Sequence, residues 1–152
     1  MKIVLVEPEI PPNTGNVART CVLTGTRLHL VEPLGFSLAE KELRRSGLDY
    51  WKFLDLKVDK DFDTFLKNRE NGRLISFSTN SKNHYHRFAY SYDDYLIFGC
   101  ETKGLDEIII KATELTLRIP MLEQIPRSLN LGNSVAIVLY EALRQLNFPG
   151  MH

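Results

Sequence analysis

An α/β domain built on an open, mainly parallel sheet is the fold class this sequence predicts, and three observations point to it. Short runs rich in Val, Ile, Leu and Phe alternate along the chain with amphipathic stretches of about ten residues. The 152 residues suffice for one ordinary domain, read as 1–152, and leave no room for a second of full size. Hydrophobic residues at 43% and charged residues at 25% match a globular chain and exclude a disordered or fibrous one.

About six strands follow in order, with helices in the gaps and on both sheet faces. Residues 2–7 form the first apolar run. The spacing then predicts a helix over 14–24, with Asn13 or Thr14 as N-cap, Val17, Ala18, Cys21 and Val22 as its core stripe, and Gly25 just past its end. A second strand spans 27–32. Ser37 and Glu40 have capping-box spacing, so a helix starts there and ends near Gly47. Strands at 52–58 and 73–79 flank a helix at 61–68, and strands at 95–99 and 114–119 flank one at 105–112. The longest helix, 132–147, carries Val135, Ala136, Leu139, Ala142, Leu143 and Leu146 on one face. Ile137, Val138 and Tyr140 make it apolar on a second side, which means either a symmetric dimer contact or a helix sunk deep in one core.

Composition removes several function classes. Lys plus Arg and Asp plus Glu number 19 each, so a nucleic-acid partner must be held by local patches. Two such patches exist: Lys41, Arg44 and Arg45, and Lys82, His84, His86 and Arg87 around Tyr85. The first also reads as an ordinary solvated helix face. The longest apolar runs fall far short of the roughly 20 residues that cross a bilayer, and no signal-peptide pattern follows Met1, so a cytoplasmic protein without a membrane span is expected. Cys21 and Cys100 lie apart without a CxxC and read as reduced thiols. His84 and His86 lack further ligands, so no metal is expected.

The turn after the first strand, Pro8-Glu9-Ile10-Pro11-Pro12-Asn13-Thr14-Gly15-Asn16, lacks the glycines of a dinucleotide cradle, and no Walker A run occurs. Free N–H groups at the helix start favour an anion such as a phosphate. Arg19 lies one turn in, off the apolar stripe and near Asn16. Three loops leave carboxyl ends of strands: 77–80, 99–104 and 120–131. Ligands of open α/β sheets bind beside such ends, so the loops point to one pocket. Gly99 and Gly104 bracket Glu101, and the third loop mixes apolar with amide side chains, a lining that suits a flat purine with a polar tail.

Together NTGNVARTC, LIFGCETKGL and IPMLEQIPRSLNLGNSVAIVLYEALRQ resemble the three motifs of the SPOUT class of RNA methyltransferases. Within it the chain is most similar to the small 2'-O-ribose methyltransferases of the tRNA wobble nucleotide, over nearly its whole length. Gly132 stands where that family commonly has Ser, and Cys100 where it commonly has Pro.

The resemblance implies a deep C-terminal trefoil knot, S-adenosylmethionine as cofactor, tRNA as partner, a cytidine or uridine as the target, and a homodimer joined through the first and last helices. Carried over by motif position, Phe77, Gly99, Ile119, Met121, Ser128 and Leu129 contact the cofactor. Asn13, Asn16 and Arg19 bind substrate; Glu101, Gly104 and Asn130 shape the loops. Arg19 and Tyr140 are the catalytic candidates, with Tyr140 read more readily as a dimer contact. Arg19 stays protonated, so orienting the nucleotide and stabilising a developing oxyanion suit it better than proton abstraction. A noncatalytic RNA-binding dimer that kept the fold is the competing expectation.

Overall fold

In a computed structural model of the chain, residues 1–38 and 49–152 are described. Six strands form one sheet: β1 Lys2–Val6, β2 Arg27–Val31, β3 Leu56–Asp59, β4 Leu74–Phe77, β5 Tyr95–Phe98 and β6 Leu115–Leu117. Their spatial order is β3-β2-β1-β5-β4-β6. Every pairing is parallel.

A parallel sheet is covered on both faces, and alternation along β1 divides its side chains between two cores. Ile3 and Leu5 pack with Val17, Ala18 and Cys21 of α1 (Pro11–Thr24) and with Val135, Val138 and Leu139 of α4 (Leu131–Gln145). Val4 and Val6 pack on the other face with Phe65 of α2 (Phe62–Asn68) and Ile109 of α3 (Glu107–Lys111). The order in which strands are added switches side between β1 and β5, and ligand crevices of open parallel sheets lie at the carboxyl ends near such a switch.

Each predicted strand is present, with shorter ends. The third departs most: Asp49–Phe53 is a 3₁₀ turn and only Leu56–Asp59 pairs. Trp51 within that turn and Leu54 just after it pack half-buried against the core, so apolar residues that read as strand are used without joining the sheet. Helix α1 starts earlier than predicted. Its N-cap is Ile10, and Asn13 and Thr14 lie inside the first turn, because Pro11 and Pro12 occupy positions whose missing N–H groups would have no helical partner anyway. The predicted stop holds: Gly25 adopts φ 63, and its N–H bonds back to Val22 O.

In α4 the buried face runs through Leu131, Val135, Val138, Leu139, Ala142 and Leu143. Val138 thus belongs to the core, whereas Ala136 and Leu146 are only half-buried, because the helical period is set from Leu131. Ile137 and Tyr140 remain 37% and 45% exposed on the outer side. The predicted helix from Ser37, with Lys41, Arg44 and Arg45, falls mostly outside the described residues.

His29 and Asp59 form a buried polar pair under α2, with Nδ1 3.3 Å from Oδ2. Phe65 and Tyr95 meet the imidazole edge-on, and Nε2 has no hydrogen-bond partner. Burial pushes the His29 pKa below its ordinary 6.5, outweighing the opposing pull of Asp59. The unfolded chain therefore binds this proton more readily, and stability drops as pH falls below about 6.5. Thermal unfolding followed across that range will show the midpoint falling with pH, and a His29→Gln variant will show a flatter profile.

Candidate active site

The carboxyl ends of β4, β5 and β6 surround a cleft of about 500 Å³. That volume suits a small organic ligand. At the strand ends Phe77 and Phe98 stack with centroids 4.7 Å apart and planes 8° apart. The loop after β5 closes tightly on itself. The Gly104 N–H donates to Cys100 O at 3.0 Å, and Gly104 takes φ 74. Gly99 lies so close beneath that a Cβ there would stand 2.1 Å from the Gly104 carbonyl carbon. Glycine is required at the first position for space and favoured at the second for conformation.

The turn ahead of α1 is where the sequence predicts an anion, and the structure supplies one from within the chain. The Glu101 carboxylate accepts from Glu9 N at 2.8 Å, Ile10 N at 3.2 Å and Asn13 Nδ2 at 2.8 Å. Glu9 reciprocates, accepting from Thr102 N at 3.1 Å and Thr102 Oγ1 at 2.9 Å. The backbone reaches this position through Glu7, whose φ of 51 turns the chain sharply out of β1. The expected ligand phosphate at this helix start is thereby replaced by a side-chain carboxylate that staples two loops together.

Asn13 extends the staple to the third loop. Its Nδ2 must face the carboxylate, which only accepts, so Oδ1 faces Asn130 and takes a hydrogen bond from its Nδ2 at 2.8 Å. Asn130 Oδ1 then accepts from Asn133 N at 3.3 Å and caps α4. One buried amide therefore ties all three motif segments together, and Gly132 lets the α4 start sit against the Asn16 side chain. Such a network holds the cleft in one shape only when every member is satisfied.

All six predicted cofactor contacts, Phe77, Gly99, Ile119, Met121, Ser128 and Leu129, line the cleft, together with Asn13, Glu101, Gly104 and Asn130. Arg19, Asn16 and Tyr140 do not. Arg19 is exposed on α1, its guanidinium 5.6 Å from the centroid of Tyr50, whose hydroxyl donates to Gly15 O. Tyr140 lies on the outer side of α4, its ring 6.4 Å from that of Phe148. Sequence reasoning missed Glu9, whose role depends on a partner far along the chain and leaves no local signal. Cys21 is inert: burial pushes its thiol up to about 12. Among the described residues no cluster of His, Cys, Asp and Glu is placed to hold a metal ion, and no helix is long and apolar enough to cross a membrane.

A doubly covered parallel sheet with its ligand cleft between knitted loops at the strand ends defines a small-ligand-binding α/β protein. The chain belongs to the SpoU rRNA Methylase family, whose model matches residues 1–140. It is 48% identical over 150 residues to the tRNA (cytidine(34)-2'-O)-methyltransferase of Saccharophagus degradans, covering 97% of each chain. To the Escherichia coli K12 protein of the same name it is 47% identical over 152 residues, covering 99% of this chain and 96% of that one. A solved structure bearing on the 2-OH methylation of C/U34 on tRNA superposes with a TM-score of 0.89 at 43% identity, over 96% of this chain and 90% of its own.

Proposed function

We propose that this chain transfers a methyl group from S-adenosylmethionine to the ribose 2'-oxygen of the tRNA wobble nucleotide, a cytidine or uridine, and that it works as a homodimer. The observation that carries the reading is the cleft, in which the three motif loops meet on residues of the expected chemistry. The near-full-length relatives named for cytidine 34 and the structure concerned with C/U34 support the substrate.

The lining fits the cofactor. Phe77, Ile119, Met121 and Leu129 offer apolar surface for a flat purine, while Ser128, Ser134 and Asn130 offer hydroxyl and amide groups for its polar parts. When bound, S-adenosylmethionine supplies a methyl group already activated by its sulfonium. The protein's share is to align the ribose oxygen with that methyl, a positioning effect worth up to about 7–11 kcal/mol in favourable cases. The Glu101–Asn13–Asn130 network keeps the loops rigid for this task. Arg19 orients the nucleotide and stabilises the developing oxyanion as a permanent cation.

Arg19 lies outside its own chain's cleft, so this reading has it serve the cleft of a second copy. The outer surface of α4 supports such a copy, since Ile137, Tyr140 and Phe148 are exposed beside one another or on one helical face. Tyr140 then belongs to the interface or its edge. The trefoil crossing belongs to the same reading, supported by the chain's return from β6 at the sheet edge to α4, which packs on α1. A cytoplasmic location follows from the proposed substrate.

The decisive test incubates the purified protein with methyl-labelled cofactor and tRNA, then locates label by nucleoside mass spectrometry. A 2'-O-methyl mark on the wobble nucleotide is expected. Stoichiometric tRNA binding without transfer would favour the noncatalytic dimer instead.

A further inference from the structure

Beside the cleft lies a second hollow of about 310 Å³, which shares Thr79, Met121 and Ser128 with it and adds Arg118 and Arg127. Among the described residues, Arg27, Arg73 and Arg144 bind carboxylates and Arg69 binds backbone carbonyls. Arg118 and Arg127 do neither. The Arg118 Nε is buried without any hydrogen-bond partner. Glu123, the carboxylate that also lines the hollow, pairs with neither arginine. A guanidinium keeps its charge in any surroundings, so Arg118 and Arg127, which line the hollow without an acceptor from the chain, call for one from outside it.

Arg118 follows β6 directly, and its backbone holds a basic loop in place. Its N–H donates to Asn83 O at 2.7 Å, and its carbonyl accepts from Tyr85 N at 2.9 Å. That stitch sets the segment carrying Lys82, His84, His86 and Arg87 beside Arg118. Two forked guanidiniums with the hydroxyls of Thr79 and Ser128 match the oxygens of a phosphate group. A single carboxylate would leave the remaining positive charge uncompensated, whereas a polyanion would not.

We propose that this hollow holds a backbone phosphodiester of the RNA substrate, next to the nucleotide presented to the cleft. The proposal rests on the reading of the cleft as the site of RNA methylation. It assigns Arg118 and Arg127 to positioning of the strand.

The test measures tRNA affinity over a series of salt concentrations for the intact protein and for Arg118→Gln, Arg127→Gln and Arg118→Lys. S-adenosylhomocysteine affinity is measured on the same samples. Each Gln variant should weaken tRNA binding about tenfold and flatten the logarithmic salt dependence by about 0.7–0.9. Arg118→Lys should keep the salt dependence and still lose affinity, because charge survives and the fork does not. S-adenosylhomocysteine should bind all four alike. Unchanged tRNA affinity and salt dependence overturn the proposal, as does an equal loss of S-adenosylhomocysteine affinity, which would make the bound oxyanion the cofactor's own carboxylate. None of these readings needs turnover, so failure of the intact protein to methylate tRNA would count against the proposed activity alone.

Discussion

Replacing Gly99 with alanine is expected to lower affinity for S-adenosylhomocysteine by about a hundredfold, equivalent to about 2.7 kcal/mol. The added Cβ would lie 2.1 Å from the Gly104 carbonyl carbon, 2.2 Å from its oxygen and 2.4 Å from Leu105 N. All three are backbone atoms, so no side chain can rotate out of the way. Relief requires opening the 99–104 turn, which breaks the Gly104–Cys100 bond and draws Glu101 away from Glu9, Ile10 and Asn13. Those contacts hold the cleft's walls together. Gly104→Ala is the control: nothing lies within 4 Å of its added Cβ, and only the φ of 74 is disfavoured. That conformation costs about 1–2 kcal/mol and should leave the loop closed. Calorimetric titration that finds wild-type affinity in Gly99→Ala would refute the claim that this close approach shapes the cleft.

The contrast between the two glycines shows where a sequence is readable and where it is not. Strand positions and the three loops at the strand ends follow from periodicity, a local signal repeated along the chain, whereas the individual cleft-lining residues come from the resemblance of the ordered motifs to a known family. The N-terminus of α1 lies ahead of the position its cap residues suggest, because Asn13 and Thr14 are strong caps in isolation while Pro11 and Pro12 start the helix before them. Asn13 is thereby freed for Glu101 and Asn130, a use visible only in three dimensions. Residues 52–58 misled for a similar reason, since Trp51 within a turn and Leu54 just after it pack apolar surface against the core. Arg118 continues an alternating strand pattern, and its lack of a partner is a property of the fold. Neither the staple by Glu9 nor the basic hollow has a sequence signature.

Arg19→Ala is expected to retain cofactor affinity and lose about a thousandfold in methyl transfer, the effect of removing one well-placed charge stabiliser. Cofactor affinity survives because Arg19 touches none of the loops that form its own cleft. The same separation allows a sharper experiment. Two proteins, Arg19→Ala and Gly99→Val, are each inactive for a different reason: one lacks the cation, the other the cleft. If the cation acts across a dimer, a mixed dimer pairs the intact cleft of the first with the intact Arg19 of the second. Random re-association of equal amounts then restores about a quarter of wild-type activity, since half the dimers are mixed and each has one complete site. If Arg19 acts within its own chain, the mixed dimer contains no complete site and the mixture stays inactive. Recovery therefore requires the guanidinium to cross the interface, where exposed Tyr140 and Ile137 offer apolar surface for the contact. Inactivity after verified subunit exchange, with each variant still dimeric, would overturn the action of Arg19 across the interface.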